Sequence, residues 1–147
     1  MNNLTVEFVI TEECNLGCTY CYMENRVIHM TEEKVLAFIA NIDKVMKLYG
    51  KDGYTISFFG GEPLLNWKTV QFAINEFNKD KRCRSLCVIT NGLLLDKEKL
   101  EWLKQNRCGI SLSFDGLWNN INRPLKNKSP SFPFYMKKKD LFHEYNI

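Results

Sequence analysis

Cys14, Cys18 and Cys21 stand in a CxxxCxxC pattern within Cys14-Asn15-Leu16-Gly17-Cys18-Thr19-Tyr20-Cys21. Three thiolates at that spacing can reach one metal centre, and the motif itself supplies no fourth. Four thiolates close a structural site or fill every iron of a cubane, whereas three leave one position for an outside ligand. An open position is what separates a reactive centre from a structural one. The spacing alone leaves the metal undecided: an iron–sulfur cluster, or zinc with His29 as the fourth ligand, both use Cys-x-x-Cys. A disulfide framework fits poorly. The chain starts Met-Asn-Asn-Leu without the charged and apolar regions of a secretion signal, which points to a reducing, cytoplasmic compartment.

Further polar motifs punctuate the chain: Gly60-Gly61-Glu62-Pro63, Thr90-Asn91-Gly92 and Ser113-Phe114-Asp115-Gly116. Each alone reads as a turn. Their meaning comes from the elements that precede them. Leu4 to Ile10, Tyr54 to Phe59, Ser85 to Thr90 and Gly109 to Phe114 are short, β-branched or aromatic runs bounded by turn residues, and predict four strands. Thr31 to Tyr49 repeats apolar residues at helical spacing from a Thr31 N-cap to Gly50. Helices are also predicted over Trp67 to Phe77, over Lys97 to Gln105 behind an Asp96 cap, and over Phe134 to Tyr145. Three prolines among residues 124–133 argue against continuous helix before that last segment. Alternating strands and helices predict an α/β fold with a parallel sheet and right-handed crossovers. All four polar motifs then fall at the carboxyl ends of the strands, where such sheets bind ligands.

The 147 residues, 45% hydrophobic with a net charge of +3, describe one globular domain. No apolar run reaches the roughly 18 residues that would span a bilayer, and the charge is too mild to indicate nucleic acid. The run Lys137-Lys138-Lys139 reads as a solvated helix face. Cys83, Cys87 and Cys108 are scattered and read as packing residues.

The ordered set Cys14 to Tyr22, GGEPLL at 60–65, TNGLLL at 90–95 and SFDG at 113–116 resembles the radical S-adenosylmethionine (SAM) enzymes. The closest resemblance is to the branch of anaerobic sulfatase-maturating and SPASM-type peptide-modifying enzymes, over about residues 4–123. The resemblance implies a partial, truncated TIM-like barrel of about four βα units. Residues 1–147 would be the N-terminal part of a radical SAM core, with 1–123 bearing the motifs and 124–147 a divergent segment. It implies a [4Fe-4S] cluster on Cys14, Cys18 and Cys21, with SAM on the remaining iron. Tyr20 would lie near the adenine, Gly60 and Gly61 near the methionine amino group, with Glu62 fixing and Pro63 stiffening that loop. Ser113 would meet the ribose, with Asn91 and Asp115 as further cofactor contacts, and Arg123 would meet the SAM carboxylate.

The implied reaction is reductive cleavage of SAM to a 5′-deoxyadenosyl radical that abstracts hydrogen from a peptide or protein. The electron would come from a flavodoxin- or ferredoxin-type protein. With room for only four strands, β-edge exposure leads us to expect a homodimer or a complementing chain. Val9, Phe58, Ile89 and Leu112 are the expected inward-facing apolar residues. A catalytically inactive remnant that holds a cluster or zinc, as an electron-transfer or interaction module, is the other reading the sequence allows.

Overall fold

The computed structural model describes residues 2–147. Four strands, β1 (Asn3–Thr11), β2 (Gly53–Gly60), β3 (Cys83–Thr90) and β4 (Cys108–Leu112), form one sheet in the order β1-β2-β3-β4, every pair parallel. Helices α1 (Glu32–Leu48), α2 (Trp67–Phe77) and α3 (Lys97–Gln105) connect them, a single turn α4 (Asn119–Asn122) follows β4, and α5 (Phe132–Glu144) closes the chain. This is the partial βα barrel expected from the sequence. Short 3-10 turns at Pro63–Asn66 and Gly116–Trp118 lead into α2 and α4.

The caps behave as their residue types dictate. Thr31 accepts from Lys34 N and Asp96 from Lys99 N, each satisfying a backbone donor that the first helical turn leaves free. The last helix starts two residues earlier than the Phe134 expected. Pro133 falls in its first turn, where a missing N–H costs no helical hydrogen bond.

Period-two alternation gives the sheet two unlike faces. Phe8, Phe58 and Val88 lie in register on the helix-covered face. There the Phe77 ring meets Phe8, Phe38, Tyr54 and Phe58, with centroids 5.6–6.2 Å apart. The opposite face is open. Val9, at 39% exposure, and half-buried Ile89 lie on it as expected. Phe58 and Leu112 do not: Phe58 is fully buried, and Leu112 packs against the core in step with Ile110. Phe59 takes the open-face position between Val9 and Ile89, since it pairs with Val9. Ser111 stands level with Ile89, and farther from the carboxyl ends the open face is mainly polar, carrying Thr5, Glu7, Thr55 and Ser57 beside Cys87, none of them buried. Among the described residues β4 pairs with β3 alone. No described helix is long and apolar enough to cross a membrane.

Candidate functional site

A cavity of about 210 Å³ lies at the carboxyl ends of the strands. Cys14, Cys18, Cys21 and Tyr20 line it from the loop after β1, Gly60 and Gly61 from the end of β2, Asn91 from the end of β3, and Ser113 and Arg123 from beyond β4. Of the sequence-predicted residues only Glu62, Pro63 and Asp115 stand behind its wall. All three act on residues that form it or on the loops beside it.

Glu62 joins three loops. Its fully buried carboxylate accepts from Thr90 Oγ1 at 2.7 Å, Asn91 N at 2.8 Å and Leu64 N at 3.0 Å. Its own N–H donates to Glu13 O, and Gly61 N donates to Thr11 O. Burial raises the pKa of this carboxyl and the three donors oppose that shift. Pro63 starts the 3-10 turn directly after it.

The two glycines are required by chain packing. Gly60 has φ +135°, and a Cβ there would lie 2.1 Å from Thr11 O. A Cβ on Gly61 would lie 2.3 Å from Glu13 O. The β2 exit thus presses against the segment leading into the cysteines.

The cysteine loop is held from several sides. Cys14 N donates to Asn25 Oδ1 at 2.8 Å, and Asn25 adopts φ +56° to present that oxygen. Asn91 lines the cavity with its side chain engaged by the protein: Nδ2 donates to Asn15 Oδ1 at 2.7 Å and lies 3.8 Å from Cys14 Sγ, while Oδ1 accepts from Leu93 N. Ser113, by contrast, has no side-chain hydrogen bond among the described residues, and its N–H donates to Thr90 O.

Asp115 ties the remaining wall together. It accepts from Arg123 Nε at 3.0 Å, from Tyr20 OH at 3.1 Å and from Asn122 Nδ2 at 3.3 Å. Partial burial works to raise its pKa, and the bonds from Arg123 and Tyr20 outweigh it, so the carboxyl stays below its ordinary value. Arg123 also stacks on Tyr20, 5.3 Å from the ring centroid. Burial pushes the Tyr20 hydroxyl up to about 12, with Arg123 opposing and Asp115 reinforcing the shift.

The segment from residue 124 onward contributes more to the site than its lack of motifs suggests. Tyr135 on α5 donates its buried hydroxyl to Asn91 O at 2.7 Å. Lys138, expected on a solvated face, turns inward and donates to Leu93 O at 2.6 Å and Leu95 O at 2.5 Å. Neither residue sits in a recognisable motif; the aromatic spacing of α5 was the only signal.

Three thiols around one cavity, beside an unpartnered hydroxyl and a guanidinium, fit a cluster with an anionic, hydroxyl-bearing ligand. Among the described residues no three Cys, His, Asp or Glu side chains gather as for a single ion. His29, the alternative fourth ligand, pairs instead with Glu13 at 3.3 Å and lines a separate hollow beneath the end of β1. Burial pushes the Cys14 and Cys18 thiols up, with Arg123 opposing at Cys18. Bound iron would reverse that preference, because thiolate is the ligating form.

Matched against protein families, residues 8–147 fit the Radical SAM superfamily. That superfamily uses a [4Fe-4S] cluster and SAM. The chain is 29% identical to the radical SAM cyclopropyl synthase TigE of Paramaledivibacter caminithermalis, over 96% of this chain and 33% of that protein. It is 38% identical to a probable GTP 3′,8-cyclase of Methanocaldococcus jannaschii, over 70% of this chain and 34% of that one. A solved structure described as native anSMEcpe with bound AdoMet and Cp18Cys peptide superposes with a TM-score of 0.77 at 23% identity, covering 99% of this chain and 41% of that one. The chain therefore spans about a third of the length of these two relatives. Because their names cover cyclopropane synthesis and GTP cyclisation, the match identifies the superfamily without singling out a branch.

Proposed function

The chain belongs to the radical SAM superfamily, and from that premise we propose that it binds a [4Fe-4S] cluster and SAM and starts hydrogen abstraction from a peptide or protein substrate. The observation that carries this reading is the convergence of Cys14, Cys18, Cys21, Ser113 and Arg123 on one cavity at the carboxyl ends of a parallel sheet. When bound, the two cofactors supply one-electron cleavage of the SAM carbon–sulfur bond to methionine and a 5′-deoxyadenosyl radical.

The chain's own residues bind and orient. Cys14, Cys18 and Cys21 hold iron; Arg123 receives the SAM carboxylate through its terminal nitrogens, and Ser113 takes a ribose hydroxyl. Tyr20 flanks the adenine, and Gly60 and Gly61 offer backbone at the cavity wall. Glu62, Pro63, Asn91 and Asp115 position those groups. Residues 1–147 act as the N-terminal part of a radical SAM core in a reducing, cytoplasmic setting, with 1–123 supplying most of the contacts. A peptide-type substrate is supported by the solved neighbour named with a bound peptide and by the polar open face. A second copy or a complementing chain would cover the free edge of β4.

The test is anaerobic reconstitution followed by dithionite and SAM. The expected result is one cluster per chain and SAM-dependent 5′-deoxyadenosine, with both lost when Cys14, Cys18 and Cys21 are all replaced by Ala. One zinc without sulfide overturns the cluster, and a cluster-replete protein that forms no 5′-deoxyadenosine overturns the enzyme in favour of a binding module.

A further inference from the structure

Two exposed lysines stand directly behind the cysteine loop. The segment after α4 runs antiparallel to that loop: Gly17 N donates to Pro124 O at 2.8 Å, Thr19 N to Asn122 O at 2.9 Å, and Leu16 bridges Leu125. The chain then turns, with Lys128 N donating to Leu125 O and Leu125 N to Ser129 O, and Lys126 and Lys128 are exposed there. A Cβ built on Gly17 would lie 3.6 Å from Lys126 Cα, so the backbone that carries this cation touches the residue next to Cys18.

Charge is one-sided on this segment. From Gly116 to Lys139 there are the cations Arg123, Lys126, Lys128, Lys137, Lys138 and Lys139, and no carboxylate. Of the carboxylates around the cysteine loop, Glu12 and Glu24 lie against Arg26 and Asp115 against Arg123, while Glu13 faces the His29 imidazole. Lys126 and Lys128 have no ion-pair partner among the described residues. On the same segment Leu117, Trp118 and Ile121 are 81%, 66% and 61% exposed. None of these five side chains lines the cavity.

We propose that this face is the docking surface for an acidic one-electron carrier protein. The proposal rests on the radical SAM reading and gives its electron a point of entry. The carrier is oxidised by one electron and the cluster is reduced by one, with no bond made or broken. Unpaired cations and exposed apolar side chains on one segment suit a protein of opposite charge, steered by long-range attraction and held by apolar contact. Position favours a carrier over a substrate. A docked protein here lies against the backbone of the cysteine loop and leaves the cavity and the open sheet face clear, whereas a substrate must reach the cavity itself.

The experiment uses the anaerobically reconstituted chain, with photoreduced flavodoxin as the acidic carrier and dithionite as a small reductant, and follows bleaching of the cluster. The double variant K126E/K128E should be reduced by flavodoxin on the order of tenfold more slowly at low salt, and the wild-type rate should fall as salt rises. Dithionite should reduce both proteins equally. A second variant, L117S/W118S, should slow the flavodoxin reaction while keeping the wild-type salt dependence. Equal flavodoxin rates in wild type and K126E/K128E overturn the proposal, as does an equal slowing with dithionite, which would place the lysines in the service of the cluster itself. A cluster that bleaches normally yet yields no 5′-deoxyadenosine removes the SAM reading, and the flavodoxin rates still decide the docking surface.

Discussion

The same three residue types meet at both ends of the sheet. At the amino end, Asp80 accepts from Arg82 Nη2 at 2.8 Å and from Tyr54 OH at 3.0 Å, and the Arg82 fork also pairs with Asp43 at 2.5 Å. At the carboxyl end, Asp115 accepts from Tyr20 OH and from Arg123, but only through Nε. Arg82 is thus engaged by two carboxylates, while Arg123 keeps its terminal nitrogens free of side-chain partners among the described residues and lines a cavity. One trio closes a loop onto the fold; the other holds an arginine ready for something that is not protein. Residue type alone does not separate the two, and the number of donors left over does.

The comparison is most sharply tested by Glu62, a carboxyl-end carboxylate with no counterpart at the amino end. Glu62→Ala strands three buried donors and opens a void, so urea unfolding of the metal-free protein should show a loss of roughly 3 to 5 kcal/mol. A loss no larger than that of an amino-end variant would break the distinction. Next in size is Asp80→Asn, expected to cost about 1 kcal/mol at neutral pH. The hydrogen bonds from Arg82 hold the Asp80 carboxyl at about 2, below its model-compound value of 3.8. Its folded pKa is the lower one, so its stabilisation is present above 3.8 and is lost as pH falls toward 2. Stability measured across that window should fall in the wild type and stay flatter in the variant, with SAM affinity unchanged.

Asp115→Asn should have the smallest effect on stability, about 0.5 kcal/mol, because Asp115 takes one nitrogen of Arg123 where Asp80 takes two of Arg82. It should instead weaken SAM binding by roughly fivefold, the scale of one misaligned hydrogen bond, measured by titration of the reconstituted protein. An unfolding defect with unchanged SAM affinity would make the carboxyl-end trio equivalent to its amino-end twin.

Much of this arrangement is legible in the amino-acid sequence. Trp67–Phe77 emerges with the bounds of its apolar spacing, and Lys97–Gln105 with those its apolar spacing and Asp96 cap define. The four strands lie within two residues of the apolar runs at each end. Which side of each strand faces the helices was harder to read. Apolar residues stand at successive positions in β2, so alternation could not tell Phe58 from Phe59. The cysteines and the motif loops are visible as patterns. Asn25, Tyr135 and Lys138 are not, since each acts through one side chain outside any motif, Asn25 across 11 residues and Tyr135 and Lys138 across 44 and 45, with the aromatic spacing of α5 as the only signal.

The contact of Gly60 and Gly61 with Thr11 and Glu13 bears on how damage to this protein would be diagnosed. A side chain at either position would push the approach to Cys14 out of place before any cofactor is present. An assay of activity would record that as a failure of cofactor handling, although the fault lies in a joint between two loops. For the same reason, intolerance of substitution at these glycines is evidence about how the chain fits itself, and it says nothing by itself about what the cavity holds.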